Sequence, residues 1–134
     1  MDIDQVQRSL KLRAQEAVEF ARKLGVEQAE AGISYDEGLT TTVRLGALES
    51  VERQRDHGFA VTVYAKGRKG TASTSECSKT SVEETVRKAI SIASFTSEDM
   101  YSGLADAELM AKKSPDLSLY HPWDIGVEQA ETIA

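Results

Sequence analysis

Residues 29 to 75 run AEAGISYDEGLTTTVRLGALESVERQRDHGFAVTVYAKGRKGTASTS, alternating apolar and polar side chains and broken at short intervals by glycine. A period of two belongs to strands with one buried face, and the glycines mark reversals of the chain. The pattern predicts five strands, at 29–35, 39–45, 48–55, 59–65 and 69–75. Asp36-Glu37-Gly38 and Asp56-His57-Gly58 read as turns, and Gly46 and Gly67 as tight hairpins. In the third strand Leu48 and Val51 stand three apart, so a bulge near Ser50 is expected to restore the register. The fifth strand carries only small residues after Lys69, which lets another backbone approach closely.

Amphipathic patterns flank this stretch. Val6, Leu10, Ala14, Ala17, Val18, Ala21 and Leu24 recur at three- and four-residue steps, predicting a helix over 4–24 with Asp4 as N-cap and Gly25 as its stop. A second helix is expected from Ser81, where Ser81 and Glu84 form a capping box. Its apolar stripe is Val82, Val86, Ala89, Ile90 and Ala93, closed by Phe95. Residues 105–112 read as a short helix, 114–124 as irregular extended chain, and the last nine residues as the opening turns of another helix.

Two amphipathic helices need one sheet face to bury against. The expected fold is therefore α+β: a two-layer sandwich, with a mainly antiparallel sheet of about five strands and both helices on one face. Residues 1–104 make up the expected α+β domain. Residues 105–134 read as an extended tail leading into a missing carboxy-terminal part of the same chain. The sheet's other face would carry Thr40, Thr42, Arg44, Thr62, Tyr64, Thr71, Ser73 and Ser75. This polar face is the candidate surface for a peptide or a partner protein.

Chemistry is harder to find. The two histidines, His57 and His121, are 64 positions apart, and the chain has no H-E-x-x-H. A hydrolytic metal centre needs several such ligands held together. Cys77 is the one cysteine, so no internal disulfide forms. No G-x-S-x-G elbow occurs, and Gly67-Arg68-Lys69-Gly70 lacks the spacing of a phosphate loop. A net charge of −6 argues against nucleic acid, whose phosphates need a cationic footprint. Met1-Asp2-Ile3-Asp4 is acidic with no apolar run behind it, and no segment reaches the ~20 apolar residues of a membrane span. The expectation is a cytoplasmic protein with no membrane partner. Met100-Tyr101 and Pro122-Trp123 either cover a core edge or form a docking surface.

Several segments, in order, resemble the amino-terminal domain of the TldD/PmbA family. They are Ala17 to Ala21, Gly38 to Arg44, Glu49 to Glu52, Val61 to Tyr64 and Arg68 to Ser75. Ala93 to Asp99, Gly103 to Asp106 and Pro115 to Pro122 fit its PmbA (TldE) branch in particular. The resemblance implies a cytoplasmic complex in which TldD- and PmbA-type subunits pair into a zinc metalloprotease acting on unfolded or short peptides. It also implies that the zinc ligands, an H-E-x-x-x-H helix and a later cysteine, belong to the TldD-type partner. This chain has no such motif, so no catalytic or metal residue carries over and no cofactor is expected in it. What carries over is a domain of a non-catalytic subunit that helps enclose the peptide-binding cavity. The branch's "modulator of DNA gyrase" label is not matched by a basic surface here. A freestanding peptide- or protein-binding scaffold remains the alternative.

Overall fold

The structure, a computed structural model, describes residues 3–134; Met1 and Asp2, part of the acidic start read above, lie outside the described residues. In chain order the elements are α1 (Ile3–Lys23), β1 (Gln28–Arg44), β2 (Ala47–Ala65), β3 (Arg68–Thr74), α2 (Lys79–Phe95) and α3 (Val127–Ile133). The fold is α+β, with one antiparallel sheet in the order β1-β2-β3.

Three strands replace the expected five because both Asp-x-Gly triplets lie inside strands. Asp36-Glu37-Gly38 belongs to β1 and Asp56-His57-Gly58 to β2. Neither Gly38 nor Gly58 takes positive φ. Across the strands, the Tyr35 and His57 rings lie 5.0 Å apart, and Arg55 pairs with Glu37 at 3.2 Å. Such cross-strand pairs favour extended chain over a local turn. The real reversals are two-residue turns with left-handed backbone at both positions, Leu45-Gly46 and Lys66-Gly67.

Contacts divide the chain into two compact units. Of the described residues, the first comprises 3–35 and 56–104. Here the odd-numbered residues of β1 and β2, and by register the even-numbered residues of β3, face the helices. Phe59, Val61 and Val63 of β2 are buried with Ala29 of β1, Ala17 and Ala21 of α1, and Val82, Val86, Ala89 and Ala93 of α2. β2 and β3 pair from Phe59↔Thr74 to Ala65↔Arg68. Gly70, in the middle of β3, meets α2 so closely that a methyl group there would overlap the Ala89 carbonyl oxygen and lie 2.5 Å from the Ala93 nitrogen.

The helix ends follow local chemistry. Gly25 (φ 88°) ends α1: its amide donates to the Arg22 carbonyl, and the Val26 amide to the Ala21 carbonyl. This paired pattern needs a left-handed residue at its centre. Asp4, expected as the N-cap, sits within the first turn of α1, where its charge suits the helix dipole. α2 starts one turn earlier than its capping-box sequence suggests, because the Ser78 hydroxyl accepts from the Ser81 amide at 3.3 Å. At the other end Arg68 caps α2 from the sheet, donating to the carbonyls of Ser94 (3.1 Å) and Thr96 (3.0 Å) and to Glu98 (3.1 Å). Phe95, expected to close the apolar stripe, is 88% exposed. It follows Ala93 by two positions, a step of about 200° that carries it off the buried face.

The second unit comprises residues 36–55 and 105–134. Arg44 and Glu49 pair beside its turn at 3.4 Å. The helix expected over 105–112 does not form: that stretch is turns and bends, one closed by the Leu109 amide on the Asp106 carbonyl at 2.8 Å. Leu109 is 78% and Met110 45% exposed, so the segment buries no apolar face, and a helix that short gains little without one. α3 supplies the expected final helix.

Gly70→Ala is expected to destabilise the domain by about 2–4 kcal/mol, because backbone rather than a mobile side chain must give way. The shift in urea midpoint measures it. An unchanged midpoint would mean α2 can withdraw from β3 at no cost.

Candidate functional site

The even-numbered residues of β2 alternate away from the helices, so the first unit has an open polar face. Register places Tyr64 beside Lys69, Thr62 beside Thr71 and Ala60 beside Ser73. The Thr62 and Thr71 hydroxyls are hydrogen-bonded at 3.0 Å. The Tyr64 hydroxyl donates to Glu30 Oε1 of β1 at 3.1 Å, and the Lys69 ammonium lies 5.9 Å from the Tyr64 ring centre. Past the threonine pair the surface falls into an open trough of about 720 Å³, with Gly32, Ser34, Gly58, Ala60, Ser73 and Ser75 in its lining.

Of the eight residues expected on the polar face, Thr62, Tyr64, Thr71, Ser73 and Ser75 thus come together in the first unit. Thr40, Thr42 and Arg44 belong to the second, where all three are exposed. Glu30 of β1 is the Tyr64 partner that the sequence analysis did not single out. That contact joins residues 34 positions apart, and no local signal marks it. Tyr64 is also more covered than a solvent-facing residue, at 8% exposure. Burial pushes its hydroxyl above the usual tyrosine value, and the Glu30 carboxylate adds to the shift.

The second unit holds a cleft of about 490 Å³ with Leu39, Thr41, Arg53, Trp123, Ile125 and Ile133 in its lining. The Thr41 hydroxyl oxygen is buried there without a hydrogen-bond partner among the described residues.

A metal centre does not fit this donor set. Among the described residues no three His, Cys, Asp or Glu side chains converge. His57 packs on Tyr35, and His121 is exposed. The face can therefore bind, through hydroxyls, one carboxylate and one ammonium, but its described residues supply no metal centre. No helix among them is long and apolar enough to cross a membrane.

Residues 29–93, from the start of the sheet into α2, match the family described as PmbA/TldA metallopeptidase domain 1. The chain is 42% identical over 118 residues to the metalloprotease PmbA homolog of Haemophilus influenzae, covering 88% of this chain and 26% of that protein. It is 37% identical over 135 residues to metalloprotease PmbA of Escherichia coli O157:H7, covering 98% and 30%. The chain belongs to the PmbA/TldD family. It spans between a quarter and a third of the length of these two relatives. A crystal structure of a candidate modulator of DNA gyrase from Bacteroides thetaiotaomicron is similar, with a TM-score of 0.72 and 25% identity over 82% of this chain and 25% of that one. TldE from Thermococcus kodakarensis shares the fold, with a TM-score of 0.64 at 16% identity over 83% of this chain and 25% of that one.

Because the neutral phenol of Tyr64 is favoured by folding, its contribution to stability is complete at neutral pH. That contribution fades as pH rises through the ordinary tyrosine value toward the raised one. Ultraviolet titration of the folded protein should show a late tyrosinate phase that Tyr64→Phe removes. A wild-type curve with no late phase would contradict this environment.

Proposed function

We propose that this chain is the amino-terminal domain of a PmbA/TldE-type, non-catalytic subunit of a cytoplasmic zinc metalloprotease complex. In this reading the open face carrying Thr62, Tyr64, Thr71, Ser73 and Ser75 contacts a peptide or the partner, and Thr40, Thr42 and Arg44 offer contacts of their own in the second unit. The zinc and the hydrolytic chemistry belong to a TldD-type partner subunit, and the substrates are unfolded or short peptides.

The observation that carries this reading is the 37% identity to a PmbA metalloprotease along 98% of the chain, with no metal donor set among the described residues. A partly hydroxylated, nearly uncharged face suits an extended peptide, whose backbone offers donors and acceptors along its length. The chain's formal charge of −6 makes it a poor match for DNA.

The test pairs the full-length parent with its TldD-type subunit. The parent alone should hold no zinc and cleave nothing. The pair should cleave an unfolded peptide, lose that activity to a chelator and regain it with zinc. Chelator-sensitive cleavage by the parent alone would overturn the assignment of roles. Ser73→Arg, on an exposed position, should shift stability by no more than about 0.5 kcal/mol. In the pair it should raise KM for the peptide, or weaken subunit association, by about tenfold, equivalent to about 1.4 kcal/mol. No change in either would remove the face from the mechanism.

A further inference from the structure

Three stretches far apart in the chain are tied to one another at one end of the sheet in the first unit. The Lys66 amide, in the β2–β3 turn, donates to Glu27 just ahead of β1 at 3.3 Å. The Gly67 carbonyl of the same turn accepts from the Asp99 amide at 2.7 Å. The Leu104 amide returns to Gln28, the first residue of β1, at 2.9 Å. Glu27 and Gln28 are neighbours, so the circuit closes. Two glycines leave room for it. A methyl group on Gly67 would lie 3.3 Å from the Asp99 carbonyl oxygen, and one on Gly103 would lie 2.9 Å from the Gln28 amide oxygen.

Between its two anchors the segment is braced from within. The Asp99 carboxylate accepts from the Tyr101 amide at 2.9 Å, and the Asp99 carbonyl accepts from the Ser102 amide at 3.0 Å. At its start, Arg68 reaches Thr96 and Glu98 from the sheet. These ties are hydrogen bonds, whereas the buried core runs no further along the chain than Ala93. Each hydrogen bond adds little net stability. A segment held by them therefore opens at lower cost than one held by Phe59, Val61 and Val63.

We propose that residues 96–104 form a strap that opens and closes as one piece while the helix–sheet core stays folded. The braced turn over 99–102 joins the two anchors, so releasing either end releases both. When the strap opens, the Gly67 carbonyl is freed and Lys69 loses the Thr96 hydroxyl 3.0 Å away. Two backbone acceptors at the Lys69 end of β3, next to Tyr64 of the polar face, then become available to another chain.

The experiment follows hydrogen exchange in the full-length parent, using overlapping peptides that separate the Asp99 and Leu104 amides, with Val61 and Val63 as the core reference. In wild type both strap amides should exchange faster than the reference. Gln28→Ala, which removes the far anchor, should speed exchange at Asp99 as well as at Leu104 by about three- to tenfold and leave the reference unchanged. In an Asp99→Ala background, which removes the carboxylate brace, Gln28→Ala should speed Leu104 alone. Strap amides as slow as the reference in wild type overturn the proposal, whether the core or the rest of the parent holds them shut. A Gln28→Ala effect confined to Leu104 with the brace intact also overturns it, because the anchors would then act independently. Equal acceleration of the reference does the same, since the strap would then share the core's own unfolding. Coupling that survives Asp99→Ala overturns the role given to the brace.

Discussion

The close approach of α2 to β3 at Gly70 sets the spacing of the first unit. Because no side chain stands there, Ala89 and Ala93 reach the strand backbone, and Val82 and Val86 on the same helix face come within reach of Phe59, Val61 and Val63. Dispersion and water exclusion both fall steeply with such gaps, so a core built from valine and alanine depends on this contact more than a leucine-rich one would. The Arg68 and Thr96 contacts hold the end of the same helix. The Thr96 hydroxyl lies 3.0 Å from both the Lys69 and Ala93 carbonyl oxygens and serves one at a time.

What the amino-acid sequence discloses follows the range of each interaction. The faces of β2 were legible because a period of two is local: Phe59, Val61 and Val63 are buried as the alternation requires. Gly46 and Gly67 were legible as reversals because left-handed backbone is a local demand. Asp36-Glu37-Gly38 and Asp56-His57-Gly58 misled because their turn preference is local, whereas the Tyr35–His57 and Glu37–Arg55 contacts that oppose it are not. The start of α2 was read three residues late because Ser78 and Ser81 are both competent caps, and only the fold shows that Ser78 is used. The polar face could be listed from parity, but the bond between Tyr64 and Glu30 could not.

Function was legible only through relatives. Nothing in the spacing of His57, His121 and Cys77 suggests proteolysis, and the structure does not gather them. What the fold gathers in the first unit is a polar face. Its polar groups are satisfied by one another, as Thr62 is by Thr71, so a ligand must compete with existing hydrogen bonds or use their remaining lone pairs. A surface of that kind favours many weak, adaptable contacts over one strong one.

Strict alternation along β2 has a consequence for how such a protein can change over time. Phe59, Val61 and Val63 point inward while Ala60, Thr62 and Tyr64 belong to the opposite face, so one codon gained or lost near Gly58 would exchange the two sets. Tyrosine and threonine would then be driven under the helices, and phenylalanine and valine out into water. The side chains of this polar face can therefore be rewritten letter by letter, but the count of residues beneath it cannot drift.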